Sequence, residues 1–139
     1  MYYDIKYLLL EKFNIVEKLS LSEAEADGIK YRNMVTGTRI YTLLKYDGDY
    51  SISELSKELG VSRQTIHKSV HILKEDGFVK LVNSEKNRKV KIVKLTPFGI
   101  EMLEKREKII NRVEEKIEKE LGKEDFLLLK KTLSKDWKI

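Results

Sequence analysis

Apolar residues near the start of the chain recur at Ile5, Leu9, Phe13, Val16 and Leu19. Such spacing keeps them on one side of a helix with 3.6 residues per turn. Tyr3, Tyr7, Leu8 and Leu10 add apolar surface on neighbouring faces, so this helix needs more than one packing surface. Ser22-Glu23-Ala24-Glu25 has the form of an N-cap followed by acidic first-turn residues, whereas Leu21 would let the first helix simply run on. Thr36-Gly37-Thr38 precedes a short helical stretch, Arg39–Leu44, stopped by Asp47-Gly48-Asp49.

The middle of the chain is the most regular. Ser51 or Ser53 can cap a helix carrying Leu55 and Leu59, and Gly60 suits its C-terminal stop. Ser62 then caps a second helix whose Ile66, Val70 and Leu73 form one buried stripe, ending at Gly77. Two helices joined by a tight glycine-containing turn make a helix-turn-helix. Phe78–Val82 and Lys89–Leu95 read as strands, the second alternating Lys with apolar residues, and Asn83–Arg88 is the polar tip between them. A helix-turn-helix followed by a basic hairpin is a winged helix, so the fold class expected is mainly α with a small β-wing. Thr96 then caps a long helix with Pro97 at its first position. Leu103, Ile110, Val113, Ile117 and Leu121 are its apolar side, and Gly122 breaks it. A last helix starts at Glu124 and Asp125 and carries Phe126, Leu129 and Leu133, with Trp137 beyond.

Charge sharpens this picture. The 139 residues carry a formal net charge of +5. Residues 1–49 hold 7 basic and 8 acidic side chains, residues 50–96 hold 10 and 5, and residues 97–139 hold 11 and 10. The excess is therefore concentrated in the winged-helix segment, which points to a polyanion partner. With no cysteine there is no disulfide, thiolate metal site or thiol sensor to consider. Mean hydropathy is −0.44 and no run of eighteen apolar residues exists, so no membrane span is expected. Met1-Tyr2-Tyr3-Asp4 lacks the basic start of a secretory signal, and a cytoplasmic setting is the expectation.

Removing the buried stripe from the second helix leaves Arg63, Gln64, Thr65, His67, Lys68 and His71 for other faces. The first turns of such a helix enter the DNA major groove, where Arg reads guanine and Gln reads adenine bidentately. Ser62 and Thr65, at the helix N-terminus, suit phosphate oxygens. In the wing, Lys86, Arg88 and Lys89 cluster at the tip, within reach of a minor groove. Lys91 and Lys94 read in part as edge protection against sheet-to-sheet pairing. His67 and His71 have a metal-compatible spacing but no third ligand nearby, and no metal or other cofactor is expected. Tyr2, Tyr3 and Tyr7 are core or interface aromatics more often than a ligand pocket. No P-loop, dinucleotide-binding, zinc-protease or serine-hydrolase motif is present, so an enzyme is not expected.

Ile52–Ser62, Leu73-Lys74-Glu75-Asp76-Gly77-Phe78-Val79 and Leu95-Thr96-Pro97-Phe98-Gly99 together resemble the MarR family of transcription regulators, a likeness that extends to Leu133. Glu124-Asp125-Phe126 with Leu129 and Leu133 matches the family's closing helix. The resemblance implies a homodimer in which 1–35 and 97–139 form a helical dimerisation domain and 36–96 the DNA-binding winged helix. It also implies a repressor on a palindromic operator in double-stranded DNA. In the family a D-x-R motif sends its Arg from the wing into the minor groove. Asn87, Arg88 and Lys89 occupy those positions, so the Asp-to-Arg brace is absent and either Arg88 or Lys89 takes the Arg role. Release by a small-molecule effector is open to such a protein, through a pocket that no residue here identifies. Two other readings stay open: a winged-helix protein-interaction module and a nonspecific architectural DNA-binding protein.

Overall fold

The computed structural model describes residues 3–29 and 35–139, the side chain of Val35 excepted. Tyr2, one of the three aromatics considered above, lies outside them. The described elements are helices α1 (Ile5–Ala26) and α2 (Val35–Tyr46), strand β1 (Tyr50–Ser51), helices α3 (Ile52–Leu59) and α4 (Arg63–Glu75), strands β2 (Val79–Asn83) and β3 (Lys91–Leu95), and helices α5 (Pro97–Leu121) and α6 (Lys123–Ser134). They group into two units. One holds α2 to β3 and the start of α5 up to Lys105; the other holds α1, α5 from Arg106 onward, and α6.

The first unit is a winged helix around one core. Ile40 and Leu44 come from α2, Ile52, Leu55 and Leu59 from α3, Ile66, Val70 and Leu73 from α4, and Val79 and Val93 from the strands. The sheet is antiparallel in the order β1-β3-β2. Leu81 pairs with Val93 and Val79 with Leu95, while Tyr50 pairs with Val93 from the other side. Two residues are too few to give β1 a readable alternation, and the sequence pattern did not disclose it. Its presence makes β3 the central strand. Lys91 and Lys94 therefore do not guard a free edge, and both side chains have internal partners: Lys91 donates to Asn83 Oδ1, and Lys94 pairs with Asp49 at 3.3 Å.

Thr96 joins this core to the long helix. Its Oγ1 accepts the Gly99 N–H at 2.9 Å, capping α5, and donates to the Gly77 carbonyl at 2.6 Å. Gly99 is required by proximity: a Cβ there would sit 2.1 Å from the Phe78 carbonyl oxygen. The Phe98 ring stacks on Phe78 with centroids 5.6 Å apart.

In the second unit α1 is one uninterrupted helix. Asp4, not Ser22, is its N-cap, accepting the Tyr7 N–H at 2.9 Å, and Ser22 is an exposed residue within it. Arg112 Nε bonds Glu23 at 2.8 Å, a second guanidinium nitrogen bonds Asp27 at 2.5 Å, and Lys116 reaches Glu23 at 2.5 Å, so α5 is tied to α1 by charge. These cations, Lys116 foremost and then Arg112, hold the Glu23 carboxyl below the usual carboxylate range. On α5 from Arg106 onward the deeply buried side chains are Ile109 and Val113; Ile110 and Ile117 are half-buried and Leu121 is exposed, while Leu103, earlier on the helix, is buried in the winged unit. On α6 only Phe126 is buried, while Leu129 and Leu133 stay exposed. Trp137 donates its indole N–H to the Thr132 carbonyl at 3.1 Å.

Candidate nucleic-acid interface

The geometry begins with how α3 and α4 are held. Ser51 and Glu54 form a reciprocal capping box at the start of α3, with bonds of 3.1 and 3.0 Å. The backbone bond from Ser51 is the main cause lowering the Glu54 carboxyl below its ordinary range. Gly60 ends α3 with φ of 66°, the left-handed conformation that an L side chain rarely adopts. Around it Ser56 Oγ donates to the Val61 carbonyl at 2.6 Å, and Arg39 from α2 donates to the Leu59 carbonyl at 3.1 Å. Three separate residues thus fix the turn that aims α4.

Ser62 caps α4, accepting the Thr65 N–H at 3.1 Å, and the two hydroxyls share a bond of 2.8 Å. Ile66, Val70 and Leu73 face the core, which leaves Ser62, Arg63, Gln64, Thr65, His67, Lys68 and His71 exposed. Arg63 and Lys68 meet no carboxylate among the described residues. His71 Nε2 lies 3.1 Å from Glu75 Oε1. Among the described residues no group of three or more His, Cys, Asp and Glu could hold a metal ion.

The wing tip between β2 and β3 is closed by its own backbone and two neutral side chains. Ser84 N–H donates to the Val90 carbonyl and Val90 N–H to the Asn87 carbonyl, both at 2.9 Å. Lys86 N–H donates to Ser84 Oγ at 3.3 Å and Lys89 N–H to Asn87 Oδ1 at 3.1 Å. Lys86, Arg88 and Lys89 are all exposed, and none is neutralised by an acid among the described residues. The first two turns of α4 and the wing tip thus place five exposed cations without an acidic partner among the described residues on one unit: Arg63, Lys68, Lys86, Arg88 and Lys89.

A family model described as an HTH domain matches residues 37–89. The HTH-type transcriptional repressor IacR of Pseudomonas putida is 32% identical over 71 residues, which take in 51% of this chain and 42% of the repressor, about two fifths of its length. Among solved structures, the transcriptional repressor CouR bound to a 23-mer DNA duplex matches with a TM-score of 0.79 at 20% identity over 94% of this chain and 90% of that one. Wild-type MarR from Escherichia coli in its apo form matches with a TM-score of 0.73 at 16% identity over 96% of each chain. The chain has the winged-helix fold seen in MarR and CouR.

Set on the MarR-like fold, the recognition-helix candidates and the wing candidates lie on the same compact unit, on two elements adjacent in sequence. Sequence reasoning missed two contributors. Arg39, which buttresses the α3–α4 turn, sits in a helix with no motif around it. Asn87 drew notice only as a departure from D-x-R, whereas its side chain closes the tip. The signal for Asn87 was present in principle, because Asn favours bonds to the backbone two residues on.

Proposed function

We propose that this MarR-like protein is a homodimeric, sequence-specific DNA-binding transcriptional repressor of the cytoplasm, a binding protein and not an enzyme. In this reading the start of α4 enters the major groove of an operator half-site. Arg63 and Gln64 contact base edges, Ser62, Thr65, His67 and Lys68 contact the backbone or flanking bases, and Lys86, Arg88 and Lys89 follow the minor groove or its phosphates. The observation that carries the reading is the set of five exposed cations at the start of α4 and the wing tip with no acidic partner among the described residues, while Lys94 on β3 is paired with Asp49 and Lys91 is engaged by Asn83.

Dimerisation is supported by the second unit's surface. Among the described residues its buried apolar side chains are few: Ala24, Ile109, Val113 and Phe126. Ile5, Leu8, Leu9 and Phe13 on α1 and Leu127, Leu128 and Leu133 on α6 are 40–65% exposed in the single chain. Apolar area on that scale marks an interface, and a second copy supplies the same helices. Two-fold pairing would put two α4 helices on half-sites one helical turn apart, which makes the operator palindromic.

The test is selection of genomic fragments bound by the purified protein at about 0.15 M salt, a level where nonspecific binding is weak, followed by motif finding and footprinting. A recovered palindrome with a saturable footprint supports the reading. Retention without a preferred site indicates an architectural DNA binder, and no retention at any salt indicates a protein-interaction module.

A further inference from the structure

We propose that Asn87 is the positioning residue of the wing: it holds the tip in its DNA-binding shape in the free protein while adding no charge beside Arg88 and Lys89. The inference rests on the DNA-binding reading above and adds to it how the tip is preorganised. Its basis is the bond from Lys89 N–H to Asn87 Oδ1 at 3.1 Å, next to the bond from Val90 N–H to the Asn87 carbonyl at 2.9 Å. One residue thereby accepts from both of the N–H groups that follow Arg88, so the backbone of the cationic tip is set by residue 87 twice over. Ser84 repeats the device on the other limb through Lys86 N–H.

The physical consequence follows from charge. An aspartate at 87 could accept the same N–H, yet it would place a full negative charge against Arg88 and Lys89 and draw one of them into an intramolecular pair. Asparagine supplies the acceptor without the charge. Both cations therefore keep their whole potential for phosphate or groove, and the tip is ordered before DNA arrives, which spares the complex the cost of ordering it.

Three variants separate positioning from charge. Asn87→Ala removes the acceptor and leaves the cations. It is expected to speed amide exchange at Lys89 in the free protein and to weaken DNA binding by about fivefold per wing, the scale of one ordinary hydrogen bond, with the salt slope unchanged. Asn87→Ser, which offers the acceptor that Ser84 already uses, restores both exchange protection and affinity. Asn87→Asp keeps the exchange protection but lowers the salt slope by about 0.9 per wing. Unchanged Lys89 exchange in Asn87→Ala overturns the proposal whether or not the protein binds DNA. Unchanged affinity in that variant, with wild-type protein bound normally, overturns the preorganisation claim. Absence of DNA binding by the wild type, with the exchange result intact, instead counts against the DNA-binding reading on which the proposal rests.

Discussion

Replacing Lys89 by alanine tests the electrostatic picture most directly, because the structure supplies its own control. Lys89 stands at the wing tip with no acidic partner among the described residues, whereas Lys94, a few residues on, is held by Asp49 at 3.3 Å. Each lysine that neutralises a phosphate releases condensed counterion and contributes about 0.9 to the slope of log affinity against log salt. With the five candidate cations of each copy all on phosphate, the slope is near −9 for a dimer, about 0.9 for each of ten charges. Lys89→Ala should flatten that slope by about 1.8, two copies losing about 0.9 each. Between about 50 and 200 mM salt the variant should then lose about twelvefold less affinity than the wild type does. Lys94→Ala removes the same formal charge but no phosphate contact, so its slope should stay at the wild-type value. Fluorescence anisotropy of a labelled duplex across a salt series measures both. Equal slopes for the two variants would refute the division of wing lysines into DNA-facing and internally paired.

Arg63→Ala or Gln64→Ala should cost about 1–3 kcal/mol on operator DNA and relax base preference at one position, read by competition against single-base operator variants. Gly99→Ala should lower the melting temperature through a loss of about 1–3 kcal/mol, because the new Cβ collides with the Phe78 carbonyl and the neighbouring backbone must shift. Glu54→Gln tests the capping box by pH. The Glu54 carboxyl is lowered in the folded state, so its contribution is complete above the ordinary carboxylate range and is lost as pH falls through the lowered value. The melting-temperature gap between wild type and Glu54→Gln should therefore be widest near neutral pH and close in acid. Leu128→Lys, at an exposed position of α6, should shift sedimentation from dimer to monomer while leaving helical circular dichroism in place; an unchanged dimer would remove α6 from the interface.

The helix-turn-helix was legible because several local rules agree on it. Gly60 at a left-handed stop, Ser62 as a cap and the Ile66–Val70–Leu73 stripe all mark the same boundaries. The long helix was legible from Thr96 and Pro97, although its buried side centres on Ile109 more than on Ile110. Around Ser22 two local signals conflicted, and continuity of the helix won because Ala24 is buried against the rest of its unit. What escaped the sequence depends on partners distant along the chain or on single backbone bonds. Lys94 is explained by Asp49, β1 by its pairing with Val93, and Asn87 by one N–H two residues away. None of these leaves a hydrophobic period to read. The α6 leucines were legible as apolar, but a single chain cannot display what covers them.

The hydroxyl of Thr96 also couples the wing to the helix that follows it. It bonds a carbonyl 19 residues earlier and caps the first turn of α5 with the same atom. The Gly99 cap is local to the helix, whereas the Gly77 bond forms only once β2 and β3 have closed into a hairpin, since closure brings Gly77 and Thr96 together. One hydroxyl thus fastens the start of the long helix to the closed hairpin, and Thr96→Val, nearly identical in shape, should fray the first turn of α5 while leaving the hydrophobic core of the winged unit assembled.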